Sequence, residues 1–223
     1  MAGKLALLAG ASGLIGKNVV ELLLQGAEYQ KVTIFVRRPL GVSHPKLEEV
    51  VINFGKLPKY KKYFHVDDVF CCLGTTIKKA ETQQAFKKVD VDYPLEMGML
   101  AKEMQARNFL IISSMGADPE SKFFYNRMKG QVEVGLKEMG LNALCVLRPS
   151  LLLGARNEVR LGEKIGGLFA RLFSVMMIGH LKKYKPVEAK DVALTMYKIA
   201  QREEKGSFIY LSDEISEIAK NDY

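Results

Sequence analysis

The stretch from Lys4 to Arg38 limits the possible folds more than any other part of the chain. An apolar run, Leu5-Ala6-Leu7-Leu8-Ala9, leads into Gly10-Ala11-Ser12-Gly13-Leu14-Ile15-Gly16; an amphipathic segment then reaches Gly26, and a second apolar run, Val32-Thr33-Ile34-Phe35-Val36, follows. Apolar run, glycine turn, helical period and apolar run together read as a βαβ unit. The glycines stand where a dinucleotide pyrophosphate needs them. Gly10 admits the tight turn, Gly13 lets backbone approach the phosphates, and Gly16 lets the helix lie close to the strand, while the first turn of the helix offers N–H groups to an anion.

The second strand ends in Arg37-Arg38, at the place where an NAD-binding chain would hold an acidic residue for the ribose 2′-hydroxyl. Two guanidiniums suit a 2′-phosphate instead, because the planar fork of arginine can grip phosphate bidentately. The plain alternative is a solvated strand end before Pro39. With the glycine motif upstream, the expected cofactor is NADP(H).

At 223 residues the chain can bury one sizeable core, so residues 1–223 are expected to form a single domain. The net charge of +8 is spread over small lysine groups such as Lys59, Lys61 and Lys62 or Lys87 and Lys88. That spread is the mark of a solvated surface rather than of a nucleic-acid footprint, and no nucleic-acid partner is expected. Cys71 and Cys72 are adjacent and Cys145 stands alone, a set with neither metal-ligand spacing nor a disulfide framework, which reads as a reducing cytoplasm. His44, His65 and His180 are far apart, and no metal is expected. The apolar stretch 168–178 carries Arg171 and is too short for a bilayer, so no stable membrane insertion is expected.

Further along, residues 49–54 read as a third strand, and residues 67–76 as a fourth that runs into Gly74, Thr75 and Thr76. A glycine at the carboxyl end of such a strand lets the chain pass close to a ligand. Residues 81–107 have helical spacing of Phe86, Val89, Leu95, Met99 and Leu100, with Pro94 marking a break and Met97, Met99 and Met104 read as core filler. Residues 108–112 form a fifth strand that ends in Ser113-Ser114; a helix over 120–139 then puts Tyr125 and Lys129 on one face. A sixth strand over 142–147, helices near 163–173 and 188–202, a strand at 208–210 and a terminal helix complete the pattern. The expected fold is α/β, a doubly wound parallel sheet, with 154–186 as a variable substrate-side insertion whose Phe169, Phe173, Met176 and Met177 suggest an apolar wall.

On Gly10-x-x-Gly13-x-x-Gly16, the Ser113-Ser114 strand end and Tyr125-x-x-x-Lys129, the chain resembles the short-chain dehydrogenase/reductase superfamily in its atypical or extended branch, an NAD(P)-binding Rossmann fold. Cys71-Cys72-Leu73-Gly74-Thr75-Thr76, Ser113-Ser114-x-Gly116-Ala117-Asp118 and Lys129-Gly130-x-Val132-Glu133 look like the Tat-interacting oxidoreductase subfamily. The resemblance implies that Ser12, Gly13, Leu14 and Ile15 wrap the pyrophosphate, Arg37 and Arg38 take the 2′-phosphate, and Leu73 and Gly74 line the cofactor. It also implies that Lys129 holds the nicotinamide ribose and that Leu152 and Arg160 touch the nucleotide. Ser150, where relatives often carry glycine, departs from the pattern.

These roles imply an NADPH-dependent oxidoreductase acting on a small-molecule carbonyl substrate: an aldehyde, ketone or quinone. Tyr125 would give the proton, helped by the Lys129 ammonium, which favours the phenolate, and Ser114, rather than Ser113, would hold the carbonyl oxygen. The competing reading is an NADP(H)-binding redox sensor that acts through a protein partner with little turnover. The chain is expected to be a monomer or homodimer.

Overall fold

A computed structural model describes residues 3–153 and 184–221. Its strands are β1 (Lys4–Ala9), β2 (Tyr29–Val36), β3 (Leu47–Val51), β4 (Asp68–Cys71), β5 (Asn108–Ile112), β6 (Ala143–Arg148), β7 (Leu152–Leu153), β8 (Val187–Glu188) and β9 (Gly206–Leu211). Its helices are α1 (Gly16–Gln25), α2 (Ile77–Ala80), α3 (Gln83–Lys87), α4 (Tyr93–Glu103), α5 (Phe124–Glu138), α6 (Ala189–Ala200) and α7 (Ser212–Lys220). Seven of these strands make one sheet in the order β3-β2-β1-β4-β5-β6-β9, every neighbouring pair parallel. β7 and β8 pair separately.

Helices cover both faces of the sheet, which is why the strand sequences are continuous apolar runs rather than alternating ones. On one face, Val19 and Leu23 of α1 pack with Val192 and Met196 of α6. On the other, Leu57 and Phe64 of a 3₁₀ segment, Met97 and Leu100 of α4, and Val132 and Leu136 of α5 form the second half of the core. The chain leaves β1 for β2 and β3 on one side and returns to its other side at β4. A crevice opens at such a reversal, outside the carboxyl ends of the strands.

At the opposite end of the sheet the first residues of four strands meet. The carboxylate of Asp68 is buried, 2.7 Å from the Lys4 ammonium, and accepts hydrogen bonds from the Tyr29 hydroxyl at 2.5 Å and the Asn108 amide at 2.6 Å. Lys4 and Asn108 also donate to the Ala200 carbonyl at the end of α6. Burial holds the Asp68 carboxyl above the usual range and pushes the Tyr29 phenol far up.

The expected break near Pro94 takes a particular form. Residues 83–103 run on as α3, a π turn over Lys88–Asp92, and α4, with the Tyr93 N–H reaching back five residues to the Lys88 carbonyl. A regular helix would drive the Pro94 ring into the carbonyl of Asp90, and the wider turn relieves that clash. The extra residue also shifts the helical phase. Met97 is fully buried, whereas Met99, expected in the core, is 45% exposed. The helix expected from residue 120 begins at Phe124, because Asp118 and Ser121 organise tight turns before it.

Candidate functional site

The glycine turn fits a dinucleotide. Gly10 has φ +93, and a Cβ there would stand 2.3 Å from the carbonyl oxygen of Cys72; one on Gly16 would stand 2.1 Å from that of Gly10. Backbone crosses backbone at distances that admit no side chain, so α1 starts directly above the end of β1. The Gly13 N–H closes the turn onto the Gly10 carbonyl at 2.9 Å, and no side chain caps α1 at Ile15. The Lys17 N–H already closes on the Gly13 carbonyl at 3.1 Å and the Val19 N–H on that of Ile15 at 3.0 Å, so an anion here would meet the other N–H groups of the turn and of the helix start. Ser12 is exposed and Leu14 half-buried, while the Ile15 side chain packs into the core and leaves only its backbone to the site.

Arg37 and Arg38 follow directly on β2, both exposed, and neither forms an ion pair among the described residues. Across the crevice the end of β4 is held to β1 by the Cys72 N–H on the Ala9 carbonyl. Half-buried Leu73 and exposed Gly74 come next in the chain. Burial pushes the neighbouring Cys71 thiol up to about 12, so it is an inert core group rather than a nucleophile.

α5 carries Tyr125 and Lys129, the pair expected from the motif. Tyr125 is 40% exposed on the first turn, its ring edge-on to Phe86 at 5.8 Å, and the Lys129 ammonium lies 6.0 Å from the centre of the Tyr125 ring. Lys129 itself is only 4% exposed. Its ammonium sits 2.8 Å from a carboxylate oxygen of Asp90, on the π turn, whose other oxygen accepts the Thr75 N–H at 2.8 Å. Burial disfavours the ammonium, but Asp90 and Tyr125 outweigh it and hold the Lys129 pKa above the ordinary lysine value.

The two serines part company. Ser113 donates its hydroxyl to Glu133 of α5, and Arg148 at the end of β6 clasps the same carboxylate, Nε at 3.0 and 3.1 Å and Nη2 at 2.5 Å. The Ser114 hydroxyl is enclosed and has no hydrogen-bond partner among the described residues. The loop that follows it is seated firmly on α5: a Cβ on Gly130 would stand 2.2 Å from the backbone of Asp118 and Pro119. Of the two serines, Ser113 is thus engaged by Glu133, while the enclosed Ser114 hydroxyl is not hydrogen-bonded among the described residues.

Leu152 lies half-buried in β7, and Ser150 donates to the Lys185 carbonyl while its N–H reaches Ser212. Arg160, Phe169, Phe173, Met176 and Met177 lie outside the described residues, as does the stretch 154–186 except for 184–186. Among the described residues no helix is long and apolar enough to cross a membrane, and no three potential metal ligands converge. The residue that the motifs did not bring forward is Asp90. Its signal was present, because Phe86, Asp90, Pro94, Met97 and Ala101 form one buried stripe, and an acid on such a stripe calls for a buried cation.

A family described as NAD(P)H-binding matches residues 10–169. Protein HTATIP2 of Rattus norvegicus is 39% identical over 173 residues, covering 76% of this chain and 71% of that protein, in keeping with the Tat-interacting resemblance of the motifs. Protein fmp52, mitochondrial, of Emericella nidulans is 32% identical over 170 residues, 73% of each chain. Among solved structures, the Bordetella bronchiseptica enzyme WbmH in complex with NAD+ has a TM-score of 0.70 at 17% identity, covering 95% of this chain and 76% of that one. At that identity the likeness is one of fold. The relatives also correct one expectation: those from Emericella nidulans, Candida albicans and Coccidioides immitis are named mitochondrial, which overturns a cytoplasmic location. Unpaired cysteines report reducing surroundings, and more than one compartment supplies them.

Proposed function

The chain belongs to the NAD(P)H-binding family, and from that premise we propose that it is an NADPH-dependent oxidoreductase that reduces a small carbonyl compound, with Tyr125 as proton donor. The observation that carries this reading is the pairing on α5 of an accessible phenol with a buried, charged lysine one turn behind it, at the carboxyl end of the sheet. NADPH, when bound, supplies the hydride. The protein supplies the rest. The turn from Gly10 to Gly16 takes the pyrophosphate, Arg37 and Arg38 take the 2′-phosphate, Leu73, Gly74, Leu152 and Arg160 border the nucleotide, and Lys129 meets the nicotinamide ribose. The unpartnered Ser114 hydroxyl donates to the substrate's carbonyl oxygen as negative charge builds there, and the Tyr125 hydroxyl gives up its proton to the same oxygen.

The preference for NADPH is supported by two guanidiniums that form no ion pair among the described residues and by the lack of an acidic residue next to them in sequence. A mitochondrial location is supported by the names of the relatives. The test is the loss of NADPH absorbance with a panel of aldehydes, ketones and quinones. Turnover with one of these classes, faster with NADPH than with NADH, is the expected result; tight NADPH binding with no turnover across the panel would replace this reading with that of a redox sensor.

A further inference from the structure

Asp90 is 1% exposed and belongs to none of the motifs that define the site, yet it touches two of them. One oxygen faces the Lys129 ammonium on α5, and the other holds the Thr75 N–H in the loop after β4. The missing Cβ of Gly74 would lie in ordinary contact with it, at 3.6 Å. Three elements therefore converge on one carboxylate: the π turn that presents it, the loop that borders the cofactor and the helix that carries Tyr125. Asp90 sits within the π turn over Lys88–Asp92, and such turns recur at functional sites.

We infer that Asp90 is a positioning residue for the cofactor site: it fixes the Lys129 ammonium in place and, through Thr75, locks the β4 loop to α5. This rests on the reading that Lys129 meets the nicotinamide ribose. The groups that face the ammonium are Asp90 from the π turn, Tyr125 from its own helix and Cys71 from the end of β4. Of these only Asp90 is a carboxylate. Without it a lysine this buried would be left with desolvation as the main influence on its proton, and its donor geometry would be free to drift.

The test uses the whole chain in four forms: wild type, Asp90→Asn, Lys129→Met and the double variant. Asp90→Asn keeps the size of the side chain and an oxygen for Thr75, and removes the charge. NADPH affinity, read by titrating nucleotide fluorescence, should fall about tenfold with Asp90→Asn alone and by less than about twofold when Asp90→Asn is added to Lys129→Met, the scale of one lost charge-assisted contact. Equal losses in the two backgrounds, or no loss in either, overturn the inference. A second readout needs no nucleotide: in protein labelled with 13C at lysine Cε, the signal that vanishes in Lys129→Met should titrate about one pH unit or more lower in Asp90→Asn. An unmoved midpoint also overturns it. If Asp90→Asn folds only together with Lys129→Met, the fault lies in the stranded ammonium, as inferred; if the double variant does not fold either, Asp90 serves the structure without acting through Lys129. Neither readout depends on turnover, so a protein that binds NADPH and reduces nothing removes the reductase reading and leaves this inference standing.

Discussion

Replacing Arg148 with methionine leaves the Glu133 carboxylate inside the protein with a single donor, the Ser113 hydroxyl, in place of the clasp it now has. Glu133 has a side chain only 8% exposed, whereas 24% of the arginine reaches solvent. Breaking a buried pair by removing one partner costs about 3 to 5 kcal/mol, and the partial exposure of Arg148 argues for the lower end, about 3 kcal/mol. For a chain of this size that corresponds to roughly 6 to 12 °C in Tm. Adding Glu133→Leu removes the stranded charge and should recover most of the loss, leaving about 1 kcal/mol for the orphaned Ser113 hydroxyl. Thermal and urea unfolding followed by circular dichroism of the single and double variants supplies the numbers. Ser113 is the residue before Ser114, so turnover should fall in Arg148→Met while NADPH affinity stays within about twofold. A single variant that loses less than about 1 kcal/mol, or single losses that simply add in the double variant, would refute the view that the clasp is one cooperative unit.

Tyr125→Phe should leave folding and NADPH affinity intact and lower carbonyl reduction by roughly 10² or more; an undiminished single-turnover rate means that the proton comes from elsewhere. Arg37→Ala with Arg38→Ala should weaken NADPH binding about a hundredfold and NADH binding by less than about threefold, and equal effects on the two nucleotides in calorimetric titration would refute the 2′-phosphate assignment. The folded-state pKa of Lys129 lies above its unfolded value, so its contribution to stability is complete below the unfolded lysine value of about 10.4 and is lost only as pH rises through the folded one. Urea unfolding above that pH should accordingly show a steeper decline in wild type than in the Asp90→Asn, Lys129→Met double variant; parallel declines would mean that the pair carries no such linkage.

The opening unit could be read from sequence because its constraints are local: Gly10, Gly13 and Gly16 stand where backbone crosses backbone, and the flanking apolar runs have the length and continuity of strands covered on both faces. The doubly wound parallel sheet was legible from the alternation of strand and helix, but the order of its strands was not, since β3 and β4 follow one another in the chain and stand on opposite sides of β1. Residues 81–107 were read less well. The buried stripe runs Phe86, Asp90, Pro94, Met97 and Ala101, and following the apolar residues alone put Met99 on it instead of Met97 and passed over Asp90, the one acid it carries. Tyr125 and Lys129 were visible as a spaced pair, but the partner of Lys129 comes from a helix some forty residues earlier, and no local spacing records such a meeting. Which serine remains available depends on Glu133 and Arg148, contributed by different elements, and only the assembled structure separates Ser113 from Ser114.

The polar cluster at the amino ends of the strands bears on the order in which the chain can assemble. Two of its donors, Lys4 and Asn108, end on the carbonyl of Ala200, and the buried side of α1, with Val19 and Leu23, shares its core cluster with α6. Synthesis runs from the amino terminus at roughly 5 to 20 residues per second, so the nascent chain carries Val19 and Leu23 without α6 for on the order of ten seconds. Until Ala200 leaves the ribosome, the buried charges of Lys4 and Asp68 also lack the carbonyl that completes their surroundings. The segment built to grip a nucleotide is thus the first to be made and among the last to be enclosed.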